Sequence, residues 1–173
     1  PYQRKILDLL AMGFTSSSIA RASGITRPGI EWIAEHRNPN VRRSTAVRIA
    51  KLTPAAIIAA ANDTTFVPSI GAKRRIEALL WLGYRHDDLT AHLGFRSAHV
   101  LPFDQIQARK HRAVAALYDQ LWDIPGPSEL GRSRARTRGC QPPMAWDDDT
   151  IDDPRARPDL GAEARGLELD DIA

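Results

Sequence analysis

Residues 4–14, RKILDLLAMGF, return without a gap seventy positions later as RRIEALLWLGY, residues 74–84. The echo runs on. Ile19, Ala20, Ser23, Gly24, Ile25, Ile30 and Ile33 stand opposite Leu89, Thr90, Leu93, Gly94, Phe95, Val100 and Phe103. An internal duplication of this kind means that one supersecondary unit was built twice, and its apolar spacing is that of helices. In the first copy Ile19 and Ala20 lie on the inner face of one helix. Ala20 is small enough for a second helix to cross closely. Gly24 supplies the positive φ that a three- to four-residue turn demands, and Ile30 and Ile33, an i,i+3 pair, anchor the second helix on the first. The expectation is a helix-turn-helix whose second helix turns its other side outward.

Bulk properties narrow the classes. The 173 residues allow one domain or two small ones, with 43% hydrophobic residues for compact helical cores. No run of eighteen apolar residues occurs, and PYQRKIL lacks the apolar stretch of a signal peptide. The lone Cys140 forms no internal disulfide and builds no Cys-rich zinc site, so a reducing bacterial cytoplasm, at the nucleoid, is expected. The net charge of +3 hides an asymmetry. Residues 1–138 carry 21 of the 24 Lys+Arg against 11 of the 21 Asp+Glu, while residues 139–173 carry 3 against 10. A basic body with an acidic tail suits a nucleic-acid binder whose tail restrains loose binding or meets another protein.

Taken in order, a helix over Gln3 to Met12 is closed by Gly13-Phe14, and Thr15 or Ser16 caps the next. Thr15, Ser16 and Ser17 then sit at a helix N-terminus, a position suited to phosphate as well as to capping. Thr26 caps the third helix, with Pro28 in its first turn. If Ile30 and Ile33 face the core, Thr26, Arg27, Glu31 and Trp32 face out as candidate base contacts. Arg27 suits guanine O6 and N7, and Glu31 a cytosine N4. Trp32 lies about 200° from Ile30 at about 100° per residue, and so either touches a groove or packs on the linker. Arg37, Arg42, Arg43 and Ser44 are candidate phosphate contacts, with Ser44 or Thr45 capping a fourth helix. A small-residue helix follows over Ala55 to Ala61, and residues 62–71 read as a linker.

The second copy departs from the first. Asp87 and Asp88 open its second helix and repel phosphate. Its recognition helix offers Arg96, Ser97 and His99 to bases, then meets Pro102, which shortens or bends it. Arg109, Lys110 and Arg112 are its candidate phosphate contacts, and a helix over Ala113 to Trp122 follows. After Pro125-Gly126-Pro127, Ser128 caps a short arginine-bearing helix ended by Gly139. PPMAWDDDTIDDP then leads into an acidic tail expected to be disordered beyond Pro154.

These strings carry a resemblance. GITRPGIEWIAEHRNPNVRRSTAVRIAKLTP resembles the lambda-repressor-like helix-turn-helix domains. RRIEALLWLGY, AVAALYDQLWDIP and AWDDDTIDDP together look like a group of small tandem helix-turn-helix proteins from actinobacteria and their phages, over nearly all of residues 4–154. The resemblance implies an all-α DNA-binding fold and a regulatory role in phage immunity or gene control, as a repressor for instance.

The expected architecture is therefore all-α. It comprises a first helix-turn-helix domain over 1–61, a linker over 62–71, and a second such domain over 72–127. A basic helix with a Trp/Asp-rich segment over 128–154 and a disordered tail over 155–173 complete it. The leading function is a sequence-specific regulator, a monomer or weak dimer, using two unequal readers on an asymmetric or composite double-stranded DNA site. The alternative is an adaptor that holds DNA loosely and recruits RNA polymerase or another protein through its second repeat and C-terminal segment. Catalysis is not expected. Asp147, Asp148, Asp149, Asp152 and Asp153 are a conceivable Mg²⁺ cluster, but carboxylate runs in tails are usually solvated and no base stands nearby. No cofactor, metal or membrane association is expected.

Overall fold

In the computed structural model, residues 2–36, 40–159 and 161 are described. The chain is mostly helical, with a two-stranded sheet among the described residues, and divides into two compact units. Unit 1 comprises residues 1–68 and 105–110, and unit 2 comprises 69–104 and 111–173.

Unit 1 begins with α1 (Tyr2–Ala11), α2 (Ser16–Ser23), α3 (Arg27–Glu35), α4 (Arg43–Ala50) and α5 (Pro54–Ala60). Ile6 and Leu9 of α1, Ile19 of α2, Ile30 and Ile33 of α3, Ile49 of α4 and Ile57 of α5 form one core with Phe14 and Leu52. Each such side chain contributes roughly 1.5–3 kcal/mol by leaving water. The expected linker proves to be structured. Residues 66–68 form β1 (Phe66–Pro68), which pairs antiparallel with β2 (Gln105–Gln107), Val67 opposite Ile106. Pro68 tolerates this place because a two-stranded sheet is all edge. Ala108 N donates to Thr65 O at 2.7 Å, and Gln105 Nε2 donates to Gly13 O at 2.9 Å. Unit 1 is thus closed by residues that lie beyond the second copy's hairpin in sequence.

Unit 2 holds α6 (Ile70–Trp81), α7 (His86–Leu93), most of α8 (Ala108–Leu121) and α9 (Glu129–Thr137). The aligned stretches end alike in the backbone. The end of α1 closes with Gly13 N donating to Leu10 O and Phe14 N to Leu9 O, and the end of α6 closes with Gly83 N to Leu80 O and Tyr84 N to Leu79 O. Gly13 and Gly83 have φ of 97° and 102°, and Gly24 and Gly94 have φ of 65° and 70°. These are left-handed C-caps in which orphan helix carbonyls find donors and glycine avoids the Cβ penalty. Beyond Gly94 the copies part. Where α3 follows Gly24, a single 3₁₀ turn, Ser97 to His99, follows Gly94. The expected second recognition helix is absent from this place, since Pro102 removes a donor within its first two turns.

The C-terminal segment belongs to the core of unit 2. Residues 143–145 form a 3₁₀ turn, and Ala135, Ala145 and Ile151 are buried, as are Leu79, Val114 and Leu117 of the same unit. Residues 155–159, expected to be disordered, follow a fixed path. Ala156 N donates to Asp153 O, and Asp159 N donates to Ala145 O at 2.9 Å. The remainder of that expectation, residues 160 and 162–173, lies outside the described residues.

Candidate nucleic-acid interface

The α2–turn–α3 pair in unit 1 is held by local capping hydrogen bonds and by one bond from α4. Thr15 is the N-cap of α2. Its Oγ1 accepts from Ser18 N at 3.1 Å while Ser18 Oγ accepts from Thr15 N at 3.1 Å, a reciprocal box. The Thr15 hydroxyl expected at phosphate is therefore engaged in this cap, leaving Ser16 half-buried and Ser17 exposed at the start of the helix. In the turn, Ile25 N donates to Ser23 Oγ, and Arg48 of α4 donates from Nη1 to Gly24 O at 2.9 Å. Thr26 Oγ1 accepts from Gly29 N at 3.3 Å to open α3.

Ile30 and Ile33 of α3 are buried, and this directs the opposite face outward. Thr26, Arg27, Pro28, Trp32 and Glu35 are exposed and Glu31 is half-buried. Arg27 Nε and Glu31 Oε1 lie 2.7 Å apart, so the two candidate base readers hold one another on the helix surface. Trp32, 43% exposed, stacks on the His36 ring with centroids 4.7 Å apart. Its resting partner is thus the end of its own helix. Arg42, Arg43 and Ser44 are exposed at the start of α4. The expected Ser44 or Thr45 cap is not the observed one. Arg42 is the N-cap residue and offers the first turn no side-chain acceptor. Arg37 lies outside the described residues.

Set against family models, curated proteins and solved structures, the chain matches none.

The candidates of the second copy are dispersed. Arg96, just before the 3₁₀ turn, and His99, its last residue, are exposed, but Ser97 is fully buried. Ser97 Oγ donates to His86 O at 3.1 Å and lies 2.9 Å from His86 Nδ1, and Ser97 N donates to Thr90 Oγ1. It is a structural tie and presents nothing to a base. Burial, and then the positive charge of Arg138, push the pKa of His86 down. Arg109 and Lys110 fall in unit 1, with Arg109 Nε on Gln107 Oε1 at 2.9 Å, while the half-buried Arg112 falls in unit 2.

The acidic string is split by burial. Asp152 is buried, and its Oδ1 is 2.7 Å from Arg75 Nη1 and 3.1 Å from His111 Nε2, the latter off the line of a good hydrogen bond. Burial alone raises the pKa of Asp152, but His111 and Arg75 outweigh it and hold the carboxyl down to about 2. Arg74, one residue earlier, donates to the carbonyls of Ile151, Asp153 and Ala156 at 2.7–3.0 Å, and its guanidinium lies 4.3 Å from the centre of the Trp146 ring. Burial pushes the pKa of Arg74 down, against Asp152 and Asp153, which raise it. Asp147, Asp148 and Asp149 remain exposed. Among the described residues no three His, Cys, Asp or Glu side chains converge as a metal site, and no helix is long and apolar enough to cross a membrane.

Proposed function

We propose that the chain is a sequence-specific double-stranded DNA-binding regulator that reads bases through α3 of unit 1. The observation that carries this reading is the outward face of α3. Thr26, Arg27, Glu31 and Trp32 stand on the second helix of a glycine-turned pair, opposite the buried Ile30 and Ile33. A helix so presented fits a major groove about 12 Å wide, and an arginine paired to a glutamate on its surface supplies both a guanine donor and a cytosine acceptor. Arg42, Arg43 and Ser44, beside the first turn of α4, supply cations and backbone donors of the kind that hold phosphates.

The two readers are more unequal than the duplication implies. Unit 2 repeats the α1–α2 hairpin as α6–α7 but carries a 3₁₀ turn where the reading helix stands in unit 1. In this reading unit 2 contributes at most backbone contacts through Arg96 and His99. The site is then asymmetric, with its specificity concentrated in one major-groove segment. The adaptor alternative rests on the exposed Asp147, Asp148 and Asp149, because Asp152 and Trp146 are engaged within unit 2.

Selection of bound sequences from a random duplex pool, run with the full chain and with Arg27→Ala, tests the proposal. A single preferred site for the wild-type chain, with relaxed preference at one or two adjacent positions for the variant, is the expected result. Recovery of no preferred sequence by the wild-type chain would refute it.

A further inference from the structure

Within unit 2, α6, the start of α7 and α9 enclose a cleft of about 320 Å³. This falls at the lower end of the roughly 300–1,000 Å³ typical of small-molecule sites. Leu80 and Tyr84 form its apolar floor, and Leu130 stands on it from α9. Arg85, Arg134 and Arg138 line the same cleft. We propose that it binds a small amphipathic anion, a hydrocarbon or aromatic body carrying one phosphate or carboxylate.

Three features of its lining lead there. Leu130 is 61% exposed, the most exposed of the large hydrophobic residues among those described, and it faces a cavity that an apolar body would fill. An isolated exposed leucine needs no explanation, but one at a cavity beside two buried apolar residues marks a place where apolar surface is recovered on binding. The second feature is charge. Three arginines line one cleft, and Arg85 is itself exposed where it pairs with the half-buried Asp88 at 3.4 Å. Such pairs are worth little, so Arg85 exchanges Asp88 for a ligand anion at small cost. Third, His86 and Ser128 line the same cleft and add polar groups beside the cations. Guanidiniums form short, paired hydrogen bonds to planar carboxylates and to phosphates, which is why the head group is anionic rather than merely polar.

The cleft exists because α9 is fastened to the end of α6. Ser128 N donates to Gly83 O at 3.1 Å and Gly126 N to Leu82 O at 2.9 Å. A Cβ on Gly126 would fall on the backbone of Gly83 and Tyr84, so only glycine permits this approach. The inference stands apart from the DNA-binding proposal, because none of its residues belongs to the α3 face.

The test uses the full chain and anilinonaphthalene sulfonate, an aromatic anion whose fluorescence rises on binding, with phenyl phosphate, decanoate, inorganic phosphate and a duplex as competitors. The expected result is one saturable site, displaced by phenyl phosphate or decanoate at concentrations about tenfold or more below inorganic phosphate, since apolar burial adds to the charge contact. Which of the two competes better identifies the head group. Arg134→Ala with Arg138→Ala, both exposed in the native protein, should weaken the probe about tenfold or more without shifting the thermal midpoint. Leu130→Asp should do the same while leaving the cations in place. Unchanged probe affinity in both variants overturns the proposal. So does inorganic phosphate competing as well as the amphipathic anions, or displacement by the duplex alone, which would make the cluster a DNA-backbone patch.

Discussion

The guanidinium of Arg75 and the carboxylate of Asp152, seventy-seven positions apart, meet inside unit 2 as a two-pronged pair, Nη1 to Oδ1 at 2.7 Å and Nη2 to Oδ2 at 3.2 Å. His111 closes on the same carboxylate from α8. This pair joins the first helix of unit 2 to the last segment of the chain described in it. Replacing a buried ion pair by apolar residues is often tolerated, but removing one member leaves the other charged and buried.

Asp152→Ala should therefore destabilise unit 2 by about 3–5 kcal/mol, because Arg75 is left charged and buried without the carboxylate that accepts from it. Chemical denaturation followed by tryptophan fluorescence measures this. Gly71→Ala should act on the same contact from the other side. A Cβ at Gly71 would land on the Asp152 carboxylate, so the substitution that ordinarily favours a helix should here be destabilising. Stabilisation by Gly71→Ala would show that the carboxylate does not sit against α6.

The pH dependence follows from the depressed pKa of Asp152. Its folded value of about 2 lies below the ordinary carboxylate range. The stability it contributes is fully present above about pH 4 and is lost as pH falls toward and through about 2. That contribution is about 2–3 kcal/mol, at roughly 1.4 kcal/mol for each tenfold change in proton affinity. Asp152→Asn should flatten this part of the acid unfolding curve. If the wild-type chain and the Asp152→Asn variant lose stability in parallel between about pH 4 and pH 2, Asp152 is not the acid-sensitive group.

Truncation separates tail from core. Ending the chain at Asp159 keeps Asp152, Ile151 and the Ala156 carbonyl that Arg74 uses, and unit 2 should remain folded. Ending it at Pro127 exposes Arg74 and Arg75 and removes Ala135, Ala145 and Ile151 from the core. The resonances of α6 and α7 should then collapse toward random-coil positions in an amide correlation spectrum. Retention of their dispersion would show that residues 128–159 are dispensable.

Much of this fold was legible because its signals are local. Thr15, Thr26 and Ser128 cap helices where their type and place say they should, and Gly13, Gly24, Gly83 and Gly94 turn left-handed at the positions the duplication pairs. The misses are non-local. Arg74 aligns with Arg4, which is exposed and pairs with Asp8 one turn on, and nothing in the local pattern of the second copy marks Arg74 as buried. Its partners are carbonyls about eighty residues away. The pairing of β1 with β2 was hidden for the same reason: three-residue strands carry no readable alternation, and Pro68 argues against a strand. On α3 the buried Ile30 and Ile33 fixed the outward face, so Arg27, Glu31 and Trp32 were readable as surface residues. Ser97 was misread because it was carried over from a helix that the second copy does not form.

The two groups of cations in unit 1 should behave differently toward DNA. Arg27 stands on the outward face of α3, braced by Glu31 at 2.7 Å, and a bidentate contact to guanine would cost about 1–3 kcal/mol to lose at one base-pair position. Arg27→Ala should therefore reduce discrimination at that position while leaving the dependence of affinity on salt nearly unchanged. Arg42 and Arg43 stand beside the first turn of α4, away from that face in sequence and suited to phosphate. Their joint replacement by Ala should weaken every duplex alike and lower the slope of log affinity against log salt by about 2. Titrations of the selected duplex and a scrambled one, at several salt concentrations, distinguish the roles. If Arg27→Ala weakens both duplexes equally and lowers the salt slope, Arg27 holds a phosphate, and the base-reading role passes to Glu31 and Trp32 or to none of the α3 face.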